Sequence, residues 1–495
     1  MRSDVKELGV GLICFPGHET VVQSLSGFID VVEIEPQTSW FKQSEGDSFR
    51  FDPHFAATLA AMPQPKIFHG VGFPIGATIL PPRGHFDTLN AHIDALNPAY
   101  TSEHLSFNRY CDIDGNISQA NFLLPPLQNE HGVQTAVRAI QNYKRQTGLP
   151  FAFETGTNYL RPRKGEMDDG AFVAQIAERS DTYILLDLHN LLANERNGRQ
   201  PLKEFIRQLP LERVIEIHLA NGFYYKDYYL DAHSGASSDE LLDLTRDIVR
   251  QLPCLKSMIF EMLPDYYQSG QTEKKLKHQF ITMKKIWDQR NRTNRRPTPL
   301  PQSQPVDNTL IPEVWEYALG GIANGGNEEY MPLQSELLAD PGITIIRDLI
   351  FEFRASQIVS ALKMTCRLLK LHIGTDAFNE LLHDYCAVND TELFGYANAL
   401  RFGEFIESQS LSVPYCKELL DFELSAAQTF IDGRTRTLDL PFDPYRLLDD
   451  LVQWHNPQAA ASSAPADTLY RVEIRPDTLE NDKESWLKFN TVVHV

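Results

Sequence analysis

Through residues 8–290, short apolar runs alternate with stretches whose apolar residues recur at helical spacing. The strand-like runs fall at 10–15 (V-G-L-I-C-F), 31–36 (V-V-E-I-E-P), 66–73, 101–107, 151–156, 183–190, 214–221 and 257–263. Short apolar runs of this kind suit buried strands. Helical spacing or Ala/Leu-rich composition marks 55–62, 132–143, 171–177, 205–209, 239–252 and 273–290. Eight strands alternating with helices predict a parallel sheet, and eight such units predict an α/β fold closed as a (β/α)8 TIM barrel over 1–290. A doubly wound open sheet is the structural alternative.

Past 290 the pattern changes. Residues 291–308 are rich in Pro, Gln and Arg and predict an extended linker. Over 309–455 the strand–helix alternation is gone. Ile345 to Leu371 and Ala397 to Ile431 carry helical spacing, so a mostly α-helical C-terminal domain is expected. A low-complexity stretch, 456–467, precedes a tail to 495 with two strand-like segments, T-L-Y-R-V-E-I and F-N-T-V-V-H-V. No internal repeat is visible.

Charge and composition narrow the function classes. The 495 residues carry a formal net charge of −20, which opposes general nucleic-acid binding and a strongly acidic partner. No apolar run approaches the roughly 18–20 residues of a membrane span. Met1 to Gly9 carries charges of both signs, unlike a signal peptide. Six cysteines show no CxxC spacing, so neither a zinc ribbon nor a disulfide framework is expected, and a cytoplasmic location fits. Neither G-x-G-x-x-G after an early strand nor G-x-x-x-x-G-K-[ST] occurs, which removes the common nucleotide-phosphate cradles.

The candidate chemistry sits where the strands end. The seventh run, V-I-E-I-H-L-A-N, places His218 near its end, and Asp231 and His233 follow an aromatic loop. Asp-x-His puts a carboxylate and an imidazole on one side of an extended backbone. His69, His104 and Glu154 lie in runs three, four and five. Asp187, His189 and Asn190 close run six, and Glu261 lies in run eight. In a parallel barrel the carboxyl ends of the strands converge on one mouth. Any one of these residues alone fits a satisfied core side chain. Together they are costly to bury unless paired or bound to metal. Mixed imidazole and carboxylate ligands suit iron, manganese or zinc. Setting His189 aside, nine candidates exceed the needs of one ion, so two or three ions are expected. Three function classes remain open at this point: a metal-dependent oxidative enzyme, a divalent-metal (Mn or Zn) sugar isomerase or phosphodiesterase-like hydrolase, and a non-catalytic metal- or peptide-binding scaffold.

Seven short motifs occur in the order and approximate spacing of one family. They are His69-Gly70-Val71-Gly72, Ser102-Glu103-His104-Leu105, Phe153-Glu154, Leu185-Leu186-Asp187-x-x-Asn190, Glu216-Ile217-His218-Leu219-Ala220, Asp231-x-His233 and Phe260-Glu261. On these the chain resembles the multinuclear non-heme iron-dependent oxidative enzymes of the methanobactin and 3-thiaglutamate pathways. These are TIM barrels that modify ribosomally made precursor peptides. The resemblance covers roughly residues 8–290. It implies that His69, His104, Glu154, Asp187, Asn190, His218, Asp231, His233 and Glu261 bind two or three irons of mixed Fe2+/Fe3+ valence. It also implies O2 as co-substrate and a peptide side chain, most often Cys, as the target. His218, Asp231 and His233 would form the catalytic centre, with His189 supporting the ligands from outside the set. The chain departs from the family pattern in three places: Glu154-Thr155 for Glu-Asn, Leu219-Ala220-Asn221-Gly222 for Leu-Ala-Gly, and Asp231-Ala232-His233 for Asp-Thr-His. The ligands survive these changes, but the three departures touch the substrate-facing surroundings, so the resemblance leaves open which of the family's substrates this chain takes.

Farther on, Phe405-Ile406, Val413-Pro414-Tyr415, Leu419-Leu420, Phe422-Glu423 and Ala426 resemble the helical partner proteins of these enzymes. The resemblance implies a partner fused to the enzyme, or a separate one, that recruits the precursor peptide. A helical domain of unrelated role is the alternative.

Overall fold

The computed structural model describes residues 5–42, 49–267, 270–290, 306–326, 331–389, 395–409, 411–441, 444–455, 457 and 470–476. Eight strands close a parallel barrel: β1 Gly9–Ile13, β2 Val31–Ile34, β3 Lys66–Gly70, β4 Thr101–His104, β5 Phe151–Glu154, β6 Tyr183–Asp187, β7 Val214–Leu219 and β8 Ser257–Phe260. Sequence neighbours pair in turn, and β8 closes on β1 with Ser257 opposite Gly9. Helices α1 Glu19–Ser24, α2 Pro53–Ala61, α3 Arg83–Leu96, α4 Glu130–Thr147, α5 Asp169–Ser180, α6 Leu188–Arg196, α7 Leu202–Gln208, α8 Asp239–Val249 and α9 Gly270–Trp287 fill the connections. This is the expected TIM barrel.

Strand alternation places the site. Val31, Ile67, Ala152, Leu185 and Ile259 join Ile13, Tyr100 and Ile215 in one buried apolar cluster. Two residues farther along the same strands stand Glu33, His69, Glu154, Asp187 and Glu261, all buried. A period of two keeps each pair on one face of its strand. The barrel therefore has an apolar floor and a polar layer toward the carboxyl ends. In β7 a register shift sets Glu216 beside Leu185 and His218 beside Asp187. Such a bulge re-aims side chains, and here it brings two polar residues into line with β6.

The outer layer follows its own sequence logic. In α8 the buried residues Leu241, Leu242, Thr245, Ile248 and Val249 form one stripe, and the Ser238 hydroxyl accepts the Leu241 amide at the helix start. In α9, Phe280 meets Phe260 of β8 edge-on, with centroids 6.1 Å apart. Such an aromatic pair contributes about 0.5–1.5 kcal/mol beyond its buried area.

Several elements differ from the sequence expectation. The sixth strand ends at Asp187 rather than Asn190. The Asp187 carboxylate accepts the Asn190 amide at 2.7 Å and caps α6. The spacing does not mark α3, because its buried face includes His85, Thr88 and His92 among the apolar residues. The aromatic loop before Asp231 is an antiparallel hairpin, Phe223–Tyr225 with Tyr228–Leu230. Its two turn residues, Lys226 and Asp227, have φ of 45° and 67°, as a tight type I′ turn requires.

The chain forms two compact units, residues 1–40 with 47–349 and residues 41–46 with 350–495. The sequence begins the helical domain at 309, whereas α10 Pro312–Ala323 and α11 Pro332–Leu338 belong to the barrel unit. The reason is α10's buried face of Trp315, Ala318, Leu319 and Ile322. Trp315 Nε1 donates to the Pro125 carbonyl at 2.9 Å, and Glu316 accepts the Thr78 amide at 2.7 Å. Most of the predicted linker, 291–305, lies outside the described residues, as do 458–467 and the final strand-like segment.

The second unit is helical. It holds α13 Lys363–Ile373, α14 Thr375–Val388, α15 Gly395–Ser408, α16 Cys416–Asp432 and α17 Pro444–Val452, while the division falls inside the sequence of α12 Gly342–Ala361. Leu368, Phe378, Tyr385, Phe402, Leu419 and Leu447 build its core. Arg436–Leu440 pairs antiparallel with Tyr470–Ile474, so the first strand-like tail segment is a strand. Among the described residues no helix is long and apolar enough to cross a membrane.

Candidate metal centre

The polar layer resolves into ligand sets that share members. In the first, His69, His104 and Glu154 converge. Glu154 Oε2 stands 3.2 Å from His69 Nε2 and 2.7 Å from His104 Nε2. Both rings are held from behind. His104 Nδ1 meets the Gly70 carbonyl at 2.9 Å, and His69 Nδ1 meets Ser102 Oγ at 2.9 Å. Ser102 spends its own proton on the Phe68 carbonyl, so the His69 Nδ1–H must be the donor in that pair. In their neutral forms both Nε2 atoms are then lone pairs aimed at Glu154, the state a metal ligand needs. Gly70 is required here, because a Cβ on it would come 2.2 Å from Glu103 Oε1.

The second set is Glu154, Asp187, His218 and Glu261, all buried. His218 Nδ1 lies 3.2 Å from Glu261 Oε1 and 3.6 Å from Glu154 Oε1. Beside it stand Asp231 and His233. His233 Nε2 is 3.0 Å from Asp231 Oδ1 and 3.4 Å from Glu261 Oε2. Glu154 thus offers one oxygen to the first set and the other to the second, and Glu261 links the second set to the His233 pair in the same way. His233 has φ of 46°, a left-handed backbone uncommon for a non-glycine residue. Such strain tends to gather at functional sites.

The electrostatics point to missing positive charge. Glu33, Glu35, Glu154, Asp187, Glu216, Asp231 and Glu261 are seven carboxylates among five imidazoles, His69, His104, His189, His218 and His233. Burial raises Asp187 well above the usual carboxylate range, and Glu154, Asp231 and Glu261 add to the rise. Burial and the Glu261 charge push Glu35 up to about 8. Against its own burial, Glu261 is drawn down to about 2 by His218 and His233. Burial would lower His104, but the Glu154 carboxylate lifts it to about 10. Asp187 Oδ2, His218 Nδ1 and Asp231 Oδ1 are buried atoms without a hydrogen bond, and Glu154 Oε2 meets only the two imidazole nitrogens. Buried carboxylate oxygens in this state are what cations satisfy. The donor set is nitrogen and oxygen throughout, so it fits iron, and it fits manganese or zinc as well.

Of the residues singled out in the sequence, His69, His104, Glu154, Asp187, His218, Asp231, His233 and Glu261 come together. Asn190 does not turn to the cluster. Its Oδ1 accepts the Thr157 hydroxyl at 2.6 Å and its Nδ2 donates to the Thr155 carbonyl at 3.4 Å. Its place in the first turn of α6 explains this. His189 stands outside the sets with Nε2 3.5 Å from Asp231 Oδ1. Glu33, Glu35 and Glu216 were missed. The signal was present: V-V-E-I-E-P and V-I-E-I-H-L carry polar residues at every second position of a buried strand, which aims them all into the barrel.

The fold and site define a parallel barrel whose mouth gathers many carboxylates and histidines. A family model described as "RiPP precursor modification enzyme MbnB/TglH/ChrH" matches residues 10–277, and the chain belongs to that family. A UPF0276 protein of Chromobacterium violaceum is 30% identical over 248 residues, covering 49% of this chain and 87% of the relative. The UPF0276 protein RB0508 of Rhizobium meliloti is 26% identical over 273 residues, covering 52% and 85%. Among solved structures, a D-psicose 3-epimerase covers 56% of this chain and 99% of its own, at 9% identity and a TM-score of 0.37. Endonuclease IV from Thermus thermophilus gives the same coverage and TM-score at 14% identity. Likenesses of that size say nothing about chemistry.

Proposed function

We propose that this chain is an oxidative enzyme that uses two or three irons, with dioxygen as co-substrate, to modify a side chain of a ribosomally synthesised precursor peptide. The target is a cysteine. The observation that supports this reading is the continuous run of closely spaced carboxylates and imidazoles, His69–His104–Glu154, then Asp187–His218, then Glu261–His233–Asp231, in which Glu154 and Glu261 each turn one oxygen to either neighbouring group. Membership of a family of precursor-modifying enzymes supports the peptide as substrate. Iron, when bound, would supply the redox chemistry. The chain's own residues hold the geometry. Gly70 and Ser102 fix the first two imidazoles, Asp187 is anchored by capping α6, and the apolar floor excludes water from below. The hairpin before Asp231 exposes Phe223 and Tyr224, apolar surface suited to a peptide.

The helical unit is proposed as the part that recruits the peptide. The residues that carry its likeness to partner proteins, Ile406, Leu419, Leu420, Phe422 and Ala426, are buried in its core. What they support is the packing of that unit, so peptide recognition would rest on its surface. All six cysteines are free thiols, which accords with a cytoplasmic location.

The test is to incubate the iron-loaded chain with cysteine-containing candidate precursor peptides, following oxygen uptake and peptide mass. Coupled uptake and a mass change are expected. Full metal loading without oxygen uptake would contradict the proposal and leave a metal-binding scaffold.

A further inference from the structure

Beside the ligand sets, on the other side of His218, stands a carboxylate pair that the function above does not use. Glu33 of β2 and Glu216 of β7 are both fully buried, and with His218 they form a compact group. Glu33 Oε1 and Oε2 stand 3.1 and 3.2 Å from His218 Nε2. Glu216 Oε1 is farther from that nitrogen, at 3.9 Å, and accepts the Ser257 hydroxyl at 3.2 Å. Tyr100 pairs in turn with Ser257 at 2.6 Å. His218 is therefore a ring with two distinct sides. Nε2 faces Glu33, while Nδ1 faces Glu261 and Glu154.

A neutral imidazole carries one proton and one lone pair. With the proton on Nε2, Glu33 accepts it and the Nδ1 lone pair points into the second ligand set. With the proton on Nδ1, the Nε2 lone pair would face two carboxylate oxygens at hydrogen-bond distance in a buried site, an unfavourable contact. The ring would also be lost as a ligand. Carboxylates commonly serve metal-bound histidines in this way, setting tautomer and orientation.

We propose that Glu33 is a positioning residue. It accepts the Nε2 proton of His218 and so commits Nδ1 to the metal ion held with Glu154, Asp187 and Glu261. The inference rests on the multinuclear reading above.

The experiment uses the full chain and its Glu33→Ala and Glu33→Gln variants. Each is loaded anaerobically with ferrous iron enriched in the Mössbauer isotope. Iron retention against a competing chelator, Mössbauer doublets and apo-protein melting are measured. Glu33→Ala is expected to weaken one iron by about 10–100-fold while the doublet of the His69/His104 iron stays unchanged. Glu33→Gln keeps a carbonyl acceptor and is expected to recover most of that affinity. A Glu33→Ala protein that keeps every iron at wild-type affinity and merely melts lower overturns the proposal, since Glu33 is then structural. A Glu33→Gln protein that holds one ion fewer also overturns it, because Glu33 is then itself a ligand. A wild-type chain that takes up no divalent ion defeats the multinuclear reading and this inference together. Wild-type loading with unaffected variants defeats this inference alone.

Discussion

Two buried carboxylates in this chain stand at helix starts and end with different partners. In the helical unit, Glu423 accepts the amides of Met364 and Thr365 at 2.8 Å each and the Thr365 hydroxyl at 2.6 Å. Both of its oxygens are used, and it ties α16 to the start of α13. In the barrel, Asp187 accepts one amide and keeps a second buried oxygen without a hydrogen bond. Burial is near complete for both. A buried carboxylate with every oxygen satisfied does structural work. One left half-open among other carboxylates is held in place by the fold for something else to satisfy. Arg199 extends the first case into the barrel unit, where it meets Asp169, Glu166, Gln128 and the Leu160 carbonyl.

The comparison can be broken by mutation, and the largest effect belongs to Arg199. Arg199→Ala strands Asp169 and Glu166 and is expected to cost the barrel unit about 3–5 kcal/mol in denaturant unfolding. Glu423→Ala is next, at about 2–3 kcal/mol, because it leaves buried amides without an acceptor. Neither change should alter the number of metal ions bound, and an ion lost from either protein would erase the distinction. Gly70→Ala is expected to cost about 1–3 kcal/mol through the clash with Glu103. It should also lower metal affinity, because the Gly70 carbonyl holds His104.

Glu316 gives a smaller effect with a pH signature. It accepts donors from Thr78, yet burial raises its carboxyl to about 7. A folded pKa above the unfolded value means its contribution is full below about pH 4.5 and is lost as pH rises through 7. Glu316→Gln should flatten the stability–pH curve over that window, by at most about 3 kcal/mol. An unchanged slope would show that Thr78 already holds the carboxylate charged at neutral pH. Asp187→Asn is expected to have the smallest effect on the apo protein. It preserves the cap to Asn190 and removes a charge that Glu154, Asp231 and Glu261 oppose, so the melting temperature should not fall. Metal binding in the second set should be lost nonetheless. A marked drop in apo stability would put Asp187 in the same class as Glu423.

These contrasts also explain what could be read in the sequence. The barrel strands were legible because buried parallel strands are short apolar runs, and His218, Asp231 and His233 stood out against that background. Eight of the nine expected ligands meet in the structure. Asn190 instead hydrogen-bonds Thr157 and the Thr155 carbonyl, because the strand stops at Asp187, a boundary set by the side-chain cap rather than by hydrophobic pattern. Glu33 and Glu216 were hidden for the opposite reason. They sit inside apolar runs and look like tolerated exceptions until strand alternation is followed residue by residue. Helix α3 was obscured by buried histidines, and α10 by a charged residue, Glu316, that is buried on its inner face.

The most direct test of the account is the metal count of protein purified from iron-supplemented cells, read with its Mössbauer and EPR spectra. Two or three irons per chain with a mixed-valent signal are predicted. His69→Ala and His233→Ala should each remove a different ion and leave the others in place. A single tightly bound zinc or manganese, with no iron taken up after anaerobic loading, would contradict the shared-ligand centre and the oxidative function built on it.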